Sequence, residues 1–176
     1  MTRDVVADLA ARIRDVQDFP IPGILFKDIT PILQDADSFH DSIELLAALY
    51  DPASYDVIVG MESRGFVFGA AVAYKLHCGF VPVRKPGKLP AEKISVEYAL
   101  EYGTNTLEMH GDGIVPGQRA LLLDDLLATG GTCRAAIELV ERLGGIVVGT
   151  AFLVELEFLH GRERIGNYPV KSVLRF

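Results

Sequence analysis

The segment at residues 120–132, which reads ALLLDDLLATGGT, constrains the fold more than any other part of the sequence. Its first four residues form a short apolar run, typical of a strand that is buried on both faces of a parallel sheet. Two carboxylates, Asp124 and Asp125, follow directly, and then a Thr-Gly-Gly-Thr loop. From Cys133 onward, apolar residues recur at helical spacing. The segment therefore predicts a strand that ends before the acids, a loop, and a helix.

A glycine-rich turn before a helix suits a phosphate group, because its backbone N–H groups converge and the helix dipole adds partial positive charge. Thr129 and Thr132 add hydroxyl donors. Carboxylates accept hydrogen bonds from ribose hydroxyls, so Asp124 and Asp125 are expected to hold the 2′- and 3′-hydroxyls of a sugar whose 5-phosphate lies in the loop. The alternatives are an ordinary turn after a solvated strand end, and a Walker A loop, which the missing lysine after the glycines excludes.

A second strand, loop and helix are predicted at residues 56–60, 62–65 and 66–76. Repeated units of this kind predict a parallel sheet with right-handed crossovers. Arg64, in the loop, is expected either to contact an anion or to face solvent. Further strands are predicted at residues 80–83, 146–156 and 172–174.

Two other segments complete the pattern. Residues 4–17 predict an amphipathic helix, which the prolines and glycine of residues 20–23 end. Residues 84–93 hold four of the seventeen Lys and Arg residues, and their prolines and glycine favour a mobile loop that closes over an anion. Residues 94–110 alternate as a hairpin, in which Glu101 would by itself be an exposed charge.

Composition excludes several classes of protein. A net charge of −7 argues against general binding of nucleic acid or anionic membranes, and no apolar run approaches the roughly 20 residues of a membrane helix. The N-terminus has no signal-peptide core, so a cytoplasmic location is expected. The two cysteines and four histidines show neither disulfide nor metal-ligand spacing. The 176 residues suffice for one well-buried domain.

The segments DFPIPGILFKDITPIL, GMESRGFVFG, RKPGKLP, SVEYALEYGTNTLEMH and LLLDDLLATGGT together resemble the type I phosphoribosyltransferases, in the expected order along nearly the whole chain. The first and last are most similar to members that act on adenine. The resemblance implies an α/β fold with a central, mostly parallel twisted sheet flanked by helices, a small N-terminal hood and a mobile basic loop and hairpin. It implies one domain over residues 1–176, with a helix and base-binding hood at 1–34 and the flexible catalytic loop and hairpin at 84–110.

The activity implied by the resemblance belongs to purine salvage. A 5-phosphoribosyl group would pass from 5-phosphoribosyl 1-pyrophosphate to adenine, giving AMP and pyrophosphate. Mg²⁺ would be carried by the pyrophosphate, without direct protein ligands, and would reach Asp124 or Asp125 through water. The partners would be these small molecules and a second copy in a homodimer, with no nucleic acid and no membrane. Transfer to another purine base, a non-catalytic regulator of the same fold and an unrelated nucleotide-binding module remain as alternatives.

The resemblance also implies roles for individual residues. Glu101 would be the general acid or base, while Asp124 and Asp125 would stabilise charge on the sugar. The expected ribose 5-phosphate contacts are Asp124, Asp125, Leu127, Ala128, Thr129, Gly130, Gly131 and Thr132. The expected pyrophosphate contacts are Glu62, Ser63, Arg64, Lys85, Lys88, Tyr102 and Arg84, the last from its own or a neighbouring subunit. The expected adenine contacts are the Phe26 ring and the main chain around Leu25 and Lys27.

The sequence departs from the family pattern at two of these positions. Lys27 stands where Arg is frequent, and Glu62 stands where Asp is common. The first difference matters little if the backbone reads the base, and more if a guanidinium does. The resemblance further implies that the peptide bond entering Ser63 is cis.

Overall fold

The computed structural model describes residues 3–99 and 104–176. The chain comprises two compact units, Met1–Leu45 and Leu46–Phe176. The predicted roles of Glu101 and Tyr102 lie outside the described residues. The division into a single domain with a hood at residues 1–34 stays a prediction.

The N-terminal unit contains a two-stranded antiparallel ribbon among short helices. Its elements are α1 (Val5–Arg12), β1 (Arg14–Gln17), β2 (Leu25–Asp28), α2 (Thr30–Gln34) and α3 (Ala36–Ala47), the last spanning the boundary. The prediction of one helix over residues 4–17 was wrong. The helix ends at Arg12 because Ile13 is extended and the next four residues pair with β2. Helical periodicity does not show such a pairing between separate segments.

The C-terminal unit is built on a parallel five-stranded sheet. Its elements in chain order are β3 (Val57–Met61), α4 (Arg64–Leu76), β4 (Gly79–Val83), β5 (Lys93–Ala99), β6 (Thr104–His110), β7 (Arg119–Leu127), α5 (Gly131–Arg142), β8 (Ile146–Glu155), α6 (Gly161–Ile165) and β9 (Val170–Arg175). The sheet order is β4-β3-β7-β8-β9, and every neighbouring pair is parallel. β5 and β6 form a separate antiparallel pair. The predicted α/β fold with a parallel sheet is confirmed.

The core of this unit lies between the sheet and its flanking helices. Ile58, Leu122 and Phe152, on three adjacent strands, are at most 1% exposed, as are Phe68 on α4 and Ile137 on α5. Full burial of such a side chain contributes about 1.5–3 kcal/mol, so strands and helices together hold the loops that follow them. None of the helices within residues 3–99 and 104–176 combines the length and apolar character that crossing a bilayer requires.

β7 continues past its predicted end at Leu123, so Asp124 and Asp125 lie within the strand. Its ladder with β3 stops at the pair Gly60 and Leu123, whereas its ladder with β8 reaches Leu127. The last four residues of β7, 124–127, therefore lie beside β8 alone and leave a crevice on the other side of the strand. This is the point where the connections from β3 and β7 diverge, which is where open α/β sheets bind ligands.

Candidate active site

The loop between β7 and α5 surrounds a cavity of about 80 Å³. All six predicted loop contacts line it, together with Asp124, Leu126, Cys133 and Phe152; the six are Leu127, Ala128, Thr129, Gly130, Gly131 and Thr132. Gly130 has φ +79°, a conformation that glycine adopts without steric cost, and α5 begins at the next residue. The cavity thus lies at the N-terminus of a 12-residue helix, where backbone N–H groups attract an anion.

The acidic pair is held by its own backbone and by one cation. Oδ1 of Asp124 accepts the Asp125 N–H at 2.9 Å, and Oδ2 of Asp125 accepts Nε of Arg64 at 2.5 Å. Asp125 is only 5% exposed. Burial and the charge of Asp125 raise the pKa of Asp124 well above its usual range. A positive charge bound beside Asp124 would oppose this shift, because an opposite charge favours the ionised carboxylate.

Gly65 allows α4 to approach this pair closely. A Cβ atom at Gly65 would lie 2.5 Å from Oδ1 of Asp124 and 3.1 Å from the carbonyl oxygen of Leu123. Because real Cβ atoms do not make contacts of 2.5 Å, any side chain here would displace the helix or the carboxylate. The absence of a side chain thus brings Arg64 and its neighbours against β7.

A second cavity of about 380 Å³ adjoins the first, and the two share Asp124, Leu126 and Thr132. It collects predicted residues from three separate segments, namely Glu62, Ser63, Arg64, Lys85, Asp124 and Asp125. The peptide bond between Glu62 and Ser63 is cis, as the resemblance implied. Arg84 and Lys88, also predicted to contact pyrophosphate, lie outside the lining of this cavity.

Two carboxylates hold the start of the basic loop. Oε2 of Glu62 accepts Nε of Arg84 at 3.0 Å and the Lys85 N–H at 3.1 Å. Burial opposes ionisation of Glu62, but these hydrogen bonds and charges outweigh it and lower its pKa. The backbones of Arg84 and Glu108 exchange two hydrogen bonds, and Oε2 of Glu108 accepts the Gly87 N–H. Glu62 therefore orients the loop, and its pyrophosphate contact stays a prediction.

Sequence reasoning missed several residues of the site. Tyr98, Asn105 and Leu107, on β5 and β6, line the larger cavity. The Tyr98 hydroxyl lies 3.3 Å from Oγ1 of Thr132, and a Cβ atom at Gly131 would lie 3.3 Å from the Tyr98 ring. In the sequence Tyr98 is an ordinary member of an alternating strand, so no local signal marks its contact with a loop 34 residues away.

The predicted adenine contacts lie in the N-terminal unit, where a cavity of about 370 Å³ is lined by Arg14, Val16, Phe19, Phe26, Asp28 and Thr30. The rings of Phe19 and Phe26 meet edge to face with centroids 5.0 Å apart. Phe19 was missed as a wall of this cavity. Leu25 and Lys27 alternate with Phe26 along β2, so their side chains point to the other face.

Polar contacts fix both faces of β2. Nζ of Lys27 lies 2.7 Å from Oδ1 of Asp15, so its side chain already has a carboxylate partner. On the cavity side, Asp28 accepts hydrogen bonds from the N–H and hydroxyl of Thr30 and from Arg14. These bonds lower the pKa of Asp28 to about 2. The cavity thus combines two aromatic rings with a polar wall.

The family model described as phosphoribosyl transferase domain matches residues 29–174. The adenine phosphoribosyltransferase of Roseiflexus sp. (strain RS-1) is 55% identical over 172 residues, which cover 98% of this chain and 100% of the relative. The crystal structure of the Thermoanaerobacter pseudethanolicus adenine phosphoribosyltransferase matches with a TM-score of 0.95 at 54% identity, covering 97% of this chain and 99% of that one. The Saccharomyces cerevisiae enzyme, crystallised with an imino-altritol bisphosphate and adenine, matches with a TM-score of 0.87 at 39% identity, covering 97% and 98%.

Proposed function

Because this chain belongs to the phosphoribosyltransferases, and within them to the adenine phosphoribosyltransferase family, we propose that the two adjoining cavities of its C-terminal unit bind 5-phosphoribosyl 1-pyrophosphate. The chain is an enzyme of purine salvage. It transfers the 5-phosphoribosyl group to adenine and gives AMP and pyrophosphate.

One observation carries the assignment of the site. Asp124 and Thr132 line both cavities, so a single molecule that spans them meets the acidic pair and the Thr-Gly-Gly-Thr loop together. The smaller cavity suits the 5-phosphate, because its lining contains the N-terminus of α5 and two threonines. The acidic pair then faces the sugar, and the larger cavity takes the pyrophosphate.

The charges of the larger cavity suit the proposed reaction. Breaking the anomeric C–O bond leaves positive charge on the sugar, which a carboxylate beside the ribose stabilises. Asp124 and Asp125 are placed for this role. The departing pyrophosphate is strongly anionic, and Arg64 and Lys85 bring cations to the same cavity. Arg84 and Lys88 belong to the same basic segment and complete the pyrophosphate site when that loop closes.

Adenine binding belongs to the N-terminal unit. Phe26 stacks on the purine, and the main chain around Leu25 and Lys27 reads its polar edge, since a peptide group offers one donor and one acceptor. The pairing of Lys27 with Asp15 supports backbone reading over side-chain reading. Glu101 is the general base that takes the adenine proton, and Tyr102 contacts pyrophosphate.

A magnesium ion fits this site as a companion of the substrate. Among residues 3–99 and 104–176, no three His, Cys, Asp or Glu side chains are grouped as a metal site. Mg²⁺ keeps several of its waters and binds few carboxylates besides the phosphate oxygens of a substrate. Asp124 and Asp125 are placed to reach such an ion through water, next to the pyrophosphate. When bound, the ion neutralises charge on the leaving group.

The family resemblance supports a homodimer as the working unit. In that assembly Arg84 reaches pyrophosphate from its own or from the neighbouring subunit. Sedimentation equilibrium gives the mass, and a monomer at working concentration would overturn this part of the proposal. Mixed dimers of an Arg84→Ala chain with an Asp125→Asn chain distinguish the two origins, because activity is restored only if each active site draws Arg84 from the other subunit.

Adenine-dependent release of pyrophosphate tests the function directly. The purified protein, Mg²⁺ and 5-phosphoribosyl 1-pyrophosphate are combined with adenine, hypoxanthine, guanine or xanthine in parallel. We expect release with adenine at least tenfold faster than with the other bases, since only adenine has an amino group at C6, where the other three carry a carbonyl oxygen. Faster release with another base, or none with any, would overturn the assignment.

Two variants test the residues. Asp125→Asn should lower kcat by about 10²-fold, because it removes a charge aimed at the developing cation. Glu101→Ala should lower kcat by about 10²–10⁴-fold with little change in KM, as loss of a general base does. Full activity of either variant would remove that residue from the mechanism.

A further inference from the structure

The backbone of the short helix α6 lies directly behind residues 128–132, the phosphate loop between β7 and the start of α5. A Cβ atom at Gly161 would lie 2.2 Å from the carbonyl oxygen of Ala128 and 2.8 Å from Cδ1 of Leu127. Reciprocally, a Cβ atom at Gly130 would lie 2.3 Å from the carbonyl oxygen of Gly161. The closest atoms are backbone atoms on both sides, so a side chain could not be accommodated by a rotamer change. The two main chains are in van der Waals contact.

Gly161 is not required by its own conformation. Its φ is outside the left-handed region, unlike that of Gly130 at +79°. An alanine at position 161 would thus keep its backbone angles and would fail only because of the contact with the loop. This makes residue 161 a specific probe of that contact.

An ion pair between Arg162 and a buried carboxylate, that of Glu155, anchors α6 to the sheet. Nε and Nη2 of Arg162 donate to the two carboxylate oxygens of Glu155 at 2.5 and 2.6 Å, and Nη1 donates to the carbonyl oxygen of Val170 at 2.9 Å. The Glu155 side chain is 4% exposed and also accepts the hydroxyl of Ser172. Hydrogen bonds from Arg162 hold the pKa of Glu155 below its usual range, against the effect of burial.

The Glu155–Arg162 ion pair and the phosphate loop both begin at the same pair of strand ends, those of β8 and β7. Glu155 ends β8 and pairs in register with Leu127, the residue where β7 passes into the phosphate loop. The Leu156 N–H also donates to the Leu127 carbonyl at 2.9 Å. Arg162, one residue after Gly161, therefore ties α6 to the same strand pair that carries the loop.

We propose that Gly161 and Arg162 are positioning residues for the 5-phosphate of the substrate: the Glu155–Arg162 pair holds α6 so that the Gly161 backbone supports the phosphate loop from behind. The inference rests on the proposed phosphate role of residues 129–132. Neither residue lines the smaller cavity, so both act through the backbone of Ala128 and Gly130. A converging set of N–H donors loses much of its affinity when displaced by a fraction of an ångström.

Gly161→Ala tests the contact, with Gly145→Ala as its control. Gly145 lies at the other end of α5, where a Cβ atom would meet Ile114 and Val140 atoms at 2.7 Å. Binding of ribose 5-phosphate is measured by calorimetry, and thermal midpoints are measured on the same samples. We expect Gly161→Ala to weaken binding about tenfold or more, and Gly145→Ala to leave it within about twofold while losing comparable stability.

Arg162→Lys tests the anchor and also covers the case in which Gly161→Ala does not fold. Lysine keeps the charge but loses the two-pronged contact with the carboxylate. Arg119→Lys is the matched control: Arg119, at the opposite end of β7, also makes two hydrogen bonds to one carboxylate, that of Asp56, and a third to a carbonyl, that of Ala53. We expect the KM for 5-phosphoribosyl 1-pyrophosphate to rise about fivefold or more in Arg162→Lys and to stay within twofold in Arg119→Lys, with the KM for adenine unchanged in both.

The outcomes separate the two proposals. If the unaltered protein neither binds ribose 5-phosphate nor releases pyrophosphate with adenine, the proposed function fails. If it does both, but Gly161→Ala binds ribose 5-phosphate as tightly as Gly145→Ala, and Arg162→Lys has the same KM for 5-phosphoribosyl 1-pyrophosphate as Arg119→Lys, the positioning role fails and the function stands.

Discussion

Nε of Arg64 donates a hydrogen bond to Oδ2 of Asp125 across 2.5 Å, joining the first turn of α4 to the acidic pair of β7. The two side chains differ in exposure, 41% for Arg64 and 7% for Asp125. The buried carboxylate therefore orients the guanidinium, while the cation remains accessible from the larger cavity. Because arginine has five N–H donors in a planar fork, a guanidinium oriented in this way can also bind phosphate oxygens.

Replacement of Arg64 should weaken substrate binding more than it weakens the fold. Arg64→Gln is expected to raise the KM for 5-phosphoribosyl 1-pyrophosphate by about 10–100-fold, since it would remove the proposed charge-assisted contact with pyrophosphate. The measurement is steady-state pyrophosphate release at saturating adenine. Arg142→Gln is the control, because Arg142 also lies 2.5 Å from a carboxylate, that of Glu138, on an exposed face. Equal KM values for the two variants would contradict a pyrophosphate role for Arg64.

Gly65→Ala should impair catalysis through the acidic pair. The added methyl group would lie 2.5 Å from Oδ1 of Asp124, so the carboxylate must move. We expect kcat to fall at least about tenfold. Gly69→Ala, on the same helix, places its methyl 2.8 Å from the Phe80 ring, away from the acids, and should keep kcat within about twofold. Both changes raise helix propensity, so a shared loss of activity would point to a general effect on α4.

The raised pKa of Asp124 predicts that this carboxyl lowers the stability of the fold at neutral pH, although the proposed activity requires it. Burial and the neighbouring Asp125 raise the pKa of Asp124 above its usual value of 3.8. Between the usual and the raised value, the folded state holds a proton that the unfolded state releases. The contribution of this carboxyl to stability is therefore full below pH 3.8 and is lost as pH rises through the folded-state pKa.

Asp124→Asn removes this dependence, because asparagine does not ionise. We expect the variant to be more stable than the parent at pH 7 by on the order of 1 kcal/mol, with no advantage at pH 3.5, while it loses activity. Urea unfolding at a series of pH values measures the difference. If the free energies of unfolding of the parent and of Asp124→Asn change in parallel with pH, ionisation of Asp124 does not destabilise the fold.

Replacement of Phe26 should raise the KM for adenine and leave the KM for 5-phosphoribosyl 1-pyrophosphate unchanged. Stacking of a base on an aromatic ring contributes about 1–3 kcal/mol, so Phe26→Ala is expected to raise the KM for adenine about tenfold or more. The KM for 5-phosphoribosyl 1-pyrophosphate should stay within about twofold. Phe158→Ala serves as the control, since that ring is 64% exposed and belongs to the C-terminal unit. An unchanged KM for adenine would show that the base binds elsewhere.

Local patterns in the sequence were sufficient for much of the site. The apolar run before Asp124 and the glycines at 130 and 131 predicted a strand and an anion loop, and the structure places them at one cavity. Arg64 and Lys85 follow β3 and β4 of the same sheet, and the carboxyl ends of parallel strands lie at one edge of a sheet. Fold and crevice could be predicted because they depend on periodicity and order along the chain.

Boundaries were predicted less well, because pairing partners set them. β1 interrupts the expected helix since residues 14–17 find hydrogen-bond partners on β2, and β7 runs past Leu123 since β8 extends beside it. The contact between Glu62 and Arg84 was not predicted for the same reason. The two residues meet because β3 and β4, which precede them, lie side by side in the sheet. The conformational propensity of a segment does not depend on a partner that lies far away in the sequence.

The sequence alone determined which chemical groups the candidate site offers, since acids and glycines at short spacing between a strand and a helix suit a sugar and a phosphate. Only the tertiary structure decided what supports that chemistry. Tyr98 over the loop, Gly65 against Asp124 and Gly161 behind Ala128 are ordinary residues in the sequence, and each acquires its role from a segment at least 30 residues away. The reason is physical: contacts between main chains depend on how packed elements meet, and that geometry is fixed by the whole core.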